Sequence, residues 1–368
     1  MKKVLIVVGL ILALNSCRES YDPEVISSQI SMLVVEGNLN AGGITTIRLT
    51  KTFKLDDTAR LATENNAQLT VEGKDNTFQN LVGTGNGNYS SNLNLVIGSE
   101  YRLRIKNGGK EYVSDYIKAR STPDIDSISW DRDDEGVTVY ANTKDPSGNS
   151  RYYLWNYDET WEIRSYFYSF FIYQNGAIRR RDMPAEEVYT CWKYNKSTDI
   201  LLANSVNLTE DVIYKKPVNF IPESTEKLGV RYSMLVKQRV LDKEAYEFFE
   251  IMKKNTEEVG SFFAPQPSEI TGNFHCLSNP GEKVIGYLTA SVEKEKRIFI
   301  AMPPAWRFFL PCYSVIVPDN KDSIDYYFGV RGFIPYDENI LPHEYYGGPP
   351  QCVDCTKRGG STIKPSYW

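Results

Sequence analysis

The chain has 368 residues, of which 41% are hydrophobic, and it contains 25 tyrosines, 16 phenylalanines and 6 tryptophans. This composition is typical of a folded protein rather than a linker or tail, and the length favours two or three domains. The net charge of -5 argues against a nucleic-acid-binding protein, which would need a basic surface.

The N-terminus has the features of a lipoprotein signal peptide over residues 1–16. Two lysines precede the apolar run 4–13, which is shorter than the roughly 20 apolar residues of a membrane-spanning helix. The following LNSC, residues 14–17, resembles a bacterial lipobox, in which Cys17 carries the lipid. The alternative is an ordinary secretory signal that ends near a cysteine by chance. We therefore expect a soluble body tethered to a membrane surface through Cys17 and a polar linker, residues 17–30, in an oxidising compartment.

Residues 31–120 have the pattern of an antiparallel β-sandwich. Short segments alternate apolar with polar residues, and the turn-forming stretches AGG, GKDN, GTGNGN and NGGK separate them. The glycines of GTGNGN predict a turn and not a phosphate-binding loop, because no helix follows them. The predicted strands are LVVEGNL (33–39), ITTIRLT (44–50), AQLTVEG (67–73), YRLRIKN (101–107) and EYVSDYI (111–117).

A second, β-rich domain is predicted over residues 121–368, because Pro123 and its polar neighbours interrupt the strand pattern. It opens with an aromatic segment, residues 151–176, that suits either the core of a sandwich or a surface for a ligand or partner. The candidate ligand contacts in this segment are Trp155, Trp161, Tyr166 and Tyr168. The expected fold class is mainly β, with two sandwiches of the transthyretin, immunoglobulin or fibronectin type III kind.

One amphipathic helix is predicted inside the second domain, over residues 241–259. Its apolar residues recur at helical spacing, Asp242 can cap its first turn, and Glu250 faces Lys254 one turn later. Gly260 is the predicted stop. We expect the apolar stripe to pack on a sheet formed by GVRYSMLVKQRV, VIGYLTASV and KRIFIAM.

The cysteines near the C-terminus, in CVDCTKRGG, raise three alternatives. Redox catalysis needs a helix after the CxxC motif, and the two glycines oppose one; zinc needs two further ligands, and the chain has only two histidines. Structural disulfides are the preferred interpretation, with Cys276 as the unpaired thiol. The disulfide candidates are Cys191, Cys312, Cys352 and Cys355.

A bridge from the CxxC motif to a distant cysteine would close a loop of tens of residues and stabilise the fold by about 3 to 4 kcal/mol. The tail after residue 355 is short and rich in glycine, so unaided burial would hold it poorly. We therefore expect at least one long-range bridge that fixes this tail to the second domain, while the connectivity stays open.

Several long strings resemble one known family, the Bacteroidota outer-membrane lipoproteins numbered 4249 among the domains of unknown function. The resemblance implies an outer-membrane, lipid-anchored, surface-exposed protein whose partner is a TonB-dependent receptor, and it assigns a role to Cys17 alone. No catalytic residue is implied. The strings are LVVEGNLN, IDSI, YYLWNYDETWEI, YSMLVKQRVLDKEAYEFFEIMKKNTEEVGSFFAPQPSEITGNF, NPGEKVIGYLTA and CVDCTKRGGSTIKPSYW.

The motif inventory favours a binding protein over an enzyme. The chain contains no GxSxG, HExxH or Walker loop, and we expect no cofactor and no catalytic or metal site. A glycosidase built on two distant carboxylates stays open. The first hypothesis is an accessory or substrate-capture subunit of a TonB-dependent transporter, and the alternative is a structural, envelope-assembly or adhesion component. The substrate, if there is one, is not predicted.

Three short segments resemble acceptor sites for Bacteroidota O-glycosylation: Asp57-Thr58-Ala59, Asp126-Ser127-Ile128 and Asp322-Ser323-Ile324. The candidate acceptor hydroxyls are those of Thr58, Ser127 and Ser323.

Overall fold

The computed structural model describes residues 31–52, 62–257, 270, 272–306 and 308–368, and this part of the chain is mainly β, as predicted. Its strands and helices are numbered below in chain order. Within these described ranges, no helix combines the length and the apolar character needed to span a bilayer.

The first sheet system contains the strands predicted between residues 31 and 120. Its hairpins are antiparallel, and the turn between β5 and β6 places Asn86 and Gly87 at φ 53° and 76°. A Cβ at Gly87 would lie 2.4 Å from the carbonyl oxygen of Leu49, so this position requires glycine. The strands are β1 (Leu33–Asn40), β2 (Ile44–Lys51), β3 (Ala62–Thr63), β4 (Gln68–Gly73), β5 (Phe78–Gly85), β6 (Asn88–Asn92), β7 (Glu100–Asn107), β8 (Lys110–Ser114) and β9 (Ile117–Lys118).

The next part of the chain forms two sheets that share one core, and we call them the second sheet system. In one sheet β11 pairs with β10 and β17, and in the other β12 pairs with β15, β16 and β18. Trp155, Tyr153 and Tyr232 are buried between them. The strands are β10 (Ile125–Arg132), β11 (Gly136–Lys144), β12 (Tyr152–Arg164), β13 (Phe171–Gln174), β14 (Ala177–Arg180), β15 (Thr190–Lys196), β16 (Leu201–Asn204), β17 (Val212–Pro222) and β18 (Arg231–Leu241), and a short 3-10 helix covers Glu226–Leu228.

The predicted helix is present as α1, Lys243–Glu257, and it packs on the second sheet system as expected. The backbone N–H of Ala245 donates to Asp242 Oδ1 over 2.8 Å, which caps the first turn. Ala245 is fully buried beside Leu154 and Leu241. The predicted stop at Gly260 lies outside the described residues.

Three short strands after the helix return to the first sheet system. β19 (Phe274–Cys276) pairs antiparallel with β8, while β20 (Val284–Ile285) and β21 (Thr289–Ser291) pair parallel with β1. The segment VIGYLTASV was predicted to lie in the sheet under the helix, and that prediction is wrong. Its backbone bonds to β1, and Thr289 Oγ1 donates to Asn38 Oδ1 over 3.1 Å.

The C-terminal region adds β22 (Lys294–Ala301), which pairs with β18, and a small separate sheet in the order β23-β25-β24. Val317, Phe328 and Phe333 form the core of this small sheet, and the hairpin β13–β14 packs against it. The remaining elements are β23 (Val315–Pro318), α2 (Lys321–Ile324), a π-helical turn (Asp325–Val330), β24 (Ile334–Ile340), β25 (His343–Gly348), α3 (Pro350–Val353) and a 3-10 helix (Cys355–Arg358).

An ion-pair cluster in the first sheet system predicts that the fold loses stability at low pH. Glu72 is 8% exposed and accepts bonds from Arg104 Nε at 2.5 Å and Arg102 Nε at 2.6 Å, and these arginines lower its pKa from 4.5. The folded pKa is depressed, so the stabilisation is present above pH 4.5 and is lost as the pH falls below it. We expect Glu72→Gln to lower the free energy of unfolding by about 1 kcal/mol at pH 7. In urea titrations at decreasing pH, the free energy of unfolding of this variant should fall less below pH 4.5 than that of the unmodified chain.

Glu36→Gln is the matched control for that series, because Glu36 is 58% exposed and lies 3.9 Å from Arg48. The free energy of unfolding of this control should fall with decreasing pH as it does in the unmodified chain. An equally steep fall in the Glu72 variant would contradict the prediction.

Candidate functional site

Two disulfides fix the C-terminal tail to the rest of the chain. Cys191 on β15 is bonded to Cys355 across a sequence separation of 164, and Cys312 is bonded to Cys352 across a separation of 40. These bridges use all four candidate cysteines, and Cys276 is a free, buried thiol. Among the residues that the structure describes, no three histidines, cysteines or carboxylates are grouped so that they could hold a metal.

The CxxC motif is folded as a capped turn rather than as the start of a long helix. Asp354 Oδ1 accepts bonds from the backbone N–H and the hydroxyl of Thr356, at 2.8 and 2.6 Å, and so caps the 3-10 helix that carries Arg358. Gly359 follows with φ 80° and ends it. Ser361 then exchanges backbone hydrogen bonds with Trp192 at 2.8 and 2.9 Å, which lays the tail along β15.

A cleft of about 220 Å³ is lined by residues at the end of β12 and by two segments close in sequence to the disulfides, and we name it the tail cleft. The lining includes the large apolar side chains of Phe308, Phe309 and Leu310, close in sequence to Cys312. Arg358 also lines the cleft and follows Cys355 in the same turn. Each bridge therefore holds a segment that contributes to the cleft. The other lining residues are Glu162, Ile163, Arg164, Ser165, Tyr166, Glu226, Gly229 and Val230.

Arg358 is the most unusual side chain of the tail cleft, since it is charged and only 8% exposed. Its Nη2 donates to the carbonyl oxygen of Arg164, and its Nη1 lies 3.5 Å from Glu226 Oε2. Its Nε is buried and has no hydrogen-bond partner among the residues that the structure describes. Burial lowers the pKa of Arg358, and the Glu226 carboxylate opposes that shift.

The remaining charges of the cleft are already paired. Glu226 also binds the Lys193 ammonium, and Glu162 Oε1 accepts from Arg164 Nε over 2.8 Å. Among the lining residues, Arg164 and Arg358 face Glu162 and Glu226, so the charges of the cleft balance.

The four candidate aromatic residues occupy three different environments. Trp155 is fully buried and donates from Nε1 to Gln238 Oε1 over 2.9 Å, so the prediction that it contacts a ligand is wrong. Trp161 is 8% exposed and also belongs to the core between the two sheets. Tyr166 is 60% exposed and lines the tail cleft. Tyr168 is exposed and contacts the rings of Phe170 and Tyr189.

Four lining residues of the tail cleft are not predicted from the sequence: Phe308, Phe309, Glu226 and Arg358. Two signals were available: the adjacent phenylalanines lie close to Cys312, and Arg358 follows the CxxC motif. Neither signal shows that the two segments meet, because their proximity depends on the disulfide pairing and the sequence does not give that pairing.

The modification candidates are partly within the described residues. Ser127 is exposed on β10 and Ser323 is half-buried in α2, whereas Thr58 and the lipidation candidate Cys17 lie outside the described residues. The hydroxyl of Ser127 is 3.0 Å from Asn142 Nδ2.

Solved structures give only remote similarity. A two-domain fibronectin type III segment of chicken tenascin is 10% identical, with 73% of this chain and 97% of that chain covered and a TM-score of 0.18. A putative membrane-anchored protein from Corynebacterium diphtheriae is 9% identical, with 57% and 55% covered and a TM-score of 0.18. No curated protein matches the chain.

A family model gives the decisive comparison. It matches residues 18–297, which include both predicted sandwiches up to β22, while the cysteines of the tail lie beyond its end. The match spans more than half of the chain and agrees with the family resemblance that the sequence strings indicate. The chain therefore belongs to the family described as domain of unknown function DUF4249.

Proposed function

We propose that this protein is a non-enzymatic lipoprotein, anchored in the outer membrane at the cell surface, that serves as an accessory or substrate-capture subunit of a TonB-dependent transporter. The observation that carries the capture role is the tail cleft, which is lined by exposed apolar side chains together with a mostly buried arginine. Binding sites are typically concave, mostly apolar and supplied with a few placed polar groups, and the tail cleft has these features. The family resemblance supplies the transporter as partner.

Recognition suits the charges of the tail cleft better than catalysis does. A glycosidase needs two carboxyl groups that are available to the substrate. Both carboxylates of the cleft, those of Glu162 and Glu226, are instead engaged by basic side chains. Outside the cleft, the Glu186 carboxylate is likewise held by Arg179, at two distances of 2.7 Å.

Purification of the lipidated chain from native membranes tests the partner. A TonB-dependent barrel recovered in stoichiometric amounts, and retained after a salt wash, would support the accessory role. Recovery of the chain without such a barrel would contradict it and favour the alternative, a structural, envelope-assembly or adhesion component.

The anchor has its own test, because Cys17→Ala removes the thiol that the LNSC motif offers for acylation. We expect this variant to lose incorporation of a labelled fatty acid and to leave the membrane fraction. Ser16→Ala is the control, since it keeps a small residue before the cysteine and should remain labelled. Persistent acyl labelling of the Cys17 variant would exclude Cys17 as the anchor.

A further inference from the structure

A second cleft is lined by residues of both sheet systems, and we name it the junction cleft. Its volume is about 480 Å³, which lies within the roughly 300–1,000 Å³ of small-molecule sites, and such sites are frequent at domain interfaces. The first sheet system contributes the turn before β7 and residues 118–121, and the second contributes the loop after β11 and one residue of β18. The cleft is separate from the tail cleft, because the two share no lining residue.

Arg120 distinguishes the junction cleft, because its guanidinium has no hydrogen bond or ion pair with any residue that the structure describes. Its Nε is buried without a partner, whereas its Nη1 and Nη2 are not buried. Every other arginine in the described ranges has a hydrogen bond, an ion pair or a ring contact through its side chain. The Arg120 backbone, in contrast, is fixed on both sides: its N–H donates to Ala290 and its carbonyl oxygen accepts from Val292, each over 3.0 Å. The guanidinium is therefore carried by an ordered segment and keeps its terminal donors unused.

Lys118 adds a second positive charge beside Arg120. The segment is extended, since Ile117 and Lys118 form β9 and Arg120 bridges to the strand β21, and residues two apart in an extended chain project to the same side. The burial agrees, because Ile117 and Ala119 are buried and alternate with the two basic residues. Within the described part of the chain, the Lys118 ammonium has no ion-pair partner either.

The carboxylate that lines the junction cleft does not neutralise these two groups. Asp145 Oδ1 accepts from the backbone N–H and the hydroxyl of Ser147, at 2.9 and 2.6 Å, so it is engaged within its own loop. Asp145 forms no ion pair with Arg120 or Lys118. Two basic side chains and one carboxylate line the cleft, which leaves one positive charge in excess, whereas the charges of the tail cleft balance.

The chemical complement of this arrangement is an oxyanion with a hydroxylated body. The planar guanidinium can donate two parallel N–H···O bonds from Nη1 and Nη2 to a carboxylate or a phosphate, and an ammonium adds charge beside them. The Ser121 hydroxyl and the Asn149 carboxamide also line the cleft, and both can bond to hydroxyl groups. A volume of about 480 Å³ holds more than the anionic group alone.

We propose that the junction cleft binds an acidic sugar, with Arg120 and Lys118 holding the anionic group and the polar groups of Ser121 and Asn149 bonding to its hydroxyls. Two sources share this chemistry: a sugar acid, which carries a carboxylate, and a sugar phosphate. The inference goes beyond the proposed capture role, which is carried by the tail cleft, because it assigns a second site at another place in the fold. The binding depends on this chain alone.

Calorimetric titration of the full-length chain in detergent tests the proposal with three probes that share one six-carbon body. D-Glucuronate carries a carboxylate, D-glucose 6-phosphate carries a phosphate, and D-glucose is the uncharged control. We expect at least one anionic probe to bind about tenfold more tightly than glucose, because the anionic group adds charge-assisted hydrogen bonds. Preference between the two anionic probes identifies the source. Equal binding of all three probes, or no binding of any, would overturn the proposal.

Two smaller probes test the hydroxylated body. Acetate and inorganic phosphate present the same anionic groups without the sugar, and each should bind at least about threefold more weakly than the matching sugar, because the bonds to the hydroxyls are missing. Affinities equal to those of the sugars would show that the cleft selects an anion and not an acidic sugar, and would overturn the ligand class.

Two variants and one control assign the binding to the cleft. Arg120→Gln should reduce the preference for the anionic probe to about twofold or less, because glutamine lacks the charged fork. It should also keep the urea midpoint of the unmodified chain, since the guanidinium forms no bond within the described residues. Lys118→Gln changes an exposed side chain and should weaken the anionic probe but not glucose, which tests the site even if the arginine variant does not fold. Arg48→Gln removes an exposed arginine that does not line the cleft and should change nothing.

An anion preference that survives in either cleft variant would contradict the assignment. The copurification experiment is independent of these titrations. Failure of the probes to bind would remove the second site and leave the transporter partnership to be judged on the recovered barrel, whereas absence of the barrel would leave the measured affinities intact.

Discussion

Glu159→Ala is expected to lower the free energy of unfolding by about 3 kcal/mol, because it removes the centre of a buried polar network. Glu159 on β12 is 1% exposed. Its Oε1 accepts from Lys227 Nζ at 2.6 Å and Asn195 Nδ2 at 2.9 Å, and its Oε2 accepts from the Tyr232 hydroxyl at 2.9 Å. Truncation would leave a buried tyrosine hydroxyl and a partly buried ammonium without their acceptor.

The network also connects the two sheets of the second sheet system. Asn219 on β17 donates to the Tyr232 hydroxyl on β18 over 3.1 Å, and its Oδ1 accepts from the Tyr157 hydroxyl on β12 over 3.0 Å. The loss should therefore appear as a lower urea midpoint for the whole system and not as local fraying.

Two variants make that measurement specific. Glu159→Gln keeps an acceptor for the tyrosine but not the charge opposite Lys227, so its cost should lie between those of the alanine variant and the unmodified chain. Glu295→Ala removes a 47% exposed carboxylate that lies 3.7 Å from Lys237, and it should cost less than about 1 kcal/mol. A Glu159→Ala midpoint equal to that of Glu295→Ala would show that the network does not stabilise the fold.

The sequence predicts the segments of β1, β2, β4, β7 and β8 in the first sheet system, where the strands are neighbours in the chain, but it does not predict β3, β5 and β6. Alternation between Leu33 and Ile117 and the Asn86-Gly87 turn are local signals, and both correspond to strands and turns of the structure. The returning strands β19 to β21 have two or three residues each, which is too short for a period to be recognised. β20 and β21 join the sheet by parallel pairing, such as Leu33 with Val284, and β19 joins it by antiparallel pairing with β8. The sequence pattern contains no information about such distant partners.

The candidate site was predicted only in part, for a related physical reason. The CxxC motif and Tyr166 can be selected from the sequence by residue type. The tail cleft is lined by both Phe308 and Arg358, and the two bridges that hold their segments are one choice among several possible pairings of four cysteines. Trp155 was selected because aromatic residues are as suitable for a binding surface as for a core. The two roles differ in exposure, which the structure shows and the residue type does not.

The bridge from Cys191 to Cys355 should contribute the largest single stabilisation in the chain. It closes a loop with a sequence separation of 164, for which the chain-entropy model gives about 5 kcal/mol, against about 4 kcal/mol for the separation of 40 between Cys312 and Cys352. The smaller loop lies inside the larger one, so the two contributions will not add. We expect Cys191→Ser/Cys355→Ser to lower the urea midpoint more than Cys312→Ser/Cys352→Ser does.

The position of the bridges gives that experiment a second readout. Loss of the Cys191–Cys355 bridge releases the 3-10 helix that carries Arg358, so protease should cut the tail after residue 355. Cys276→Ala is the control, because it removes a buried cysteine that forms no bridge and should leave the tail resistant to protease. Free thiols at Cys191 and Cys355 in non-reducing peptide maps of the native protein, or a double variant as stable as the control, would show that the tail is held by packing alone.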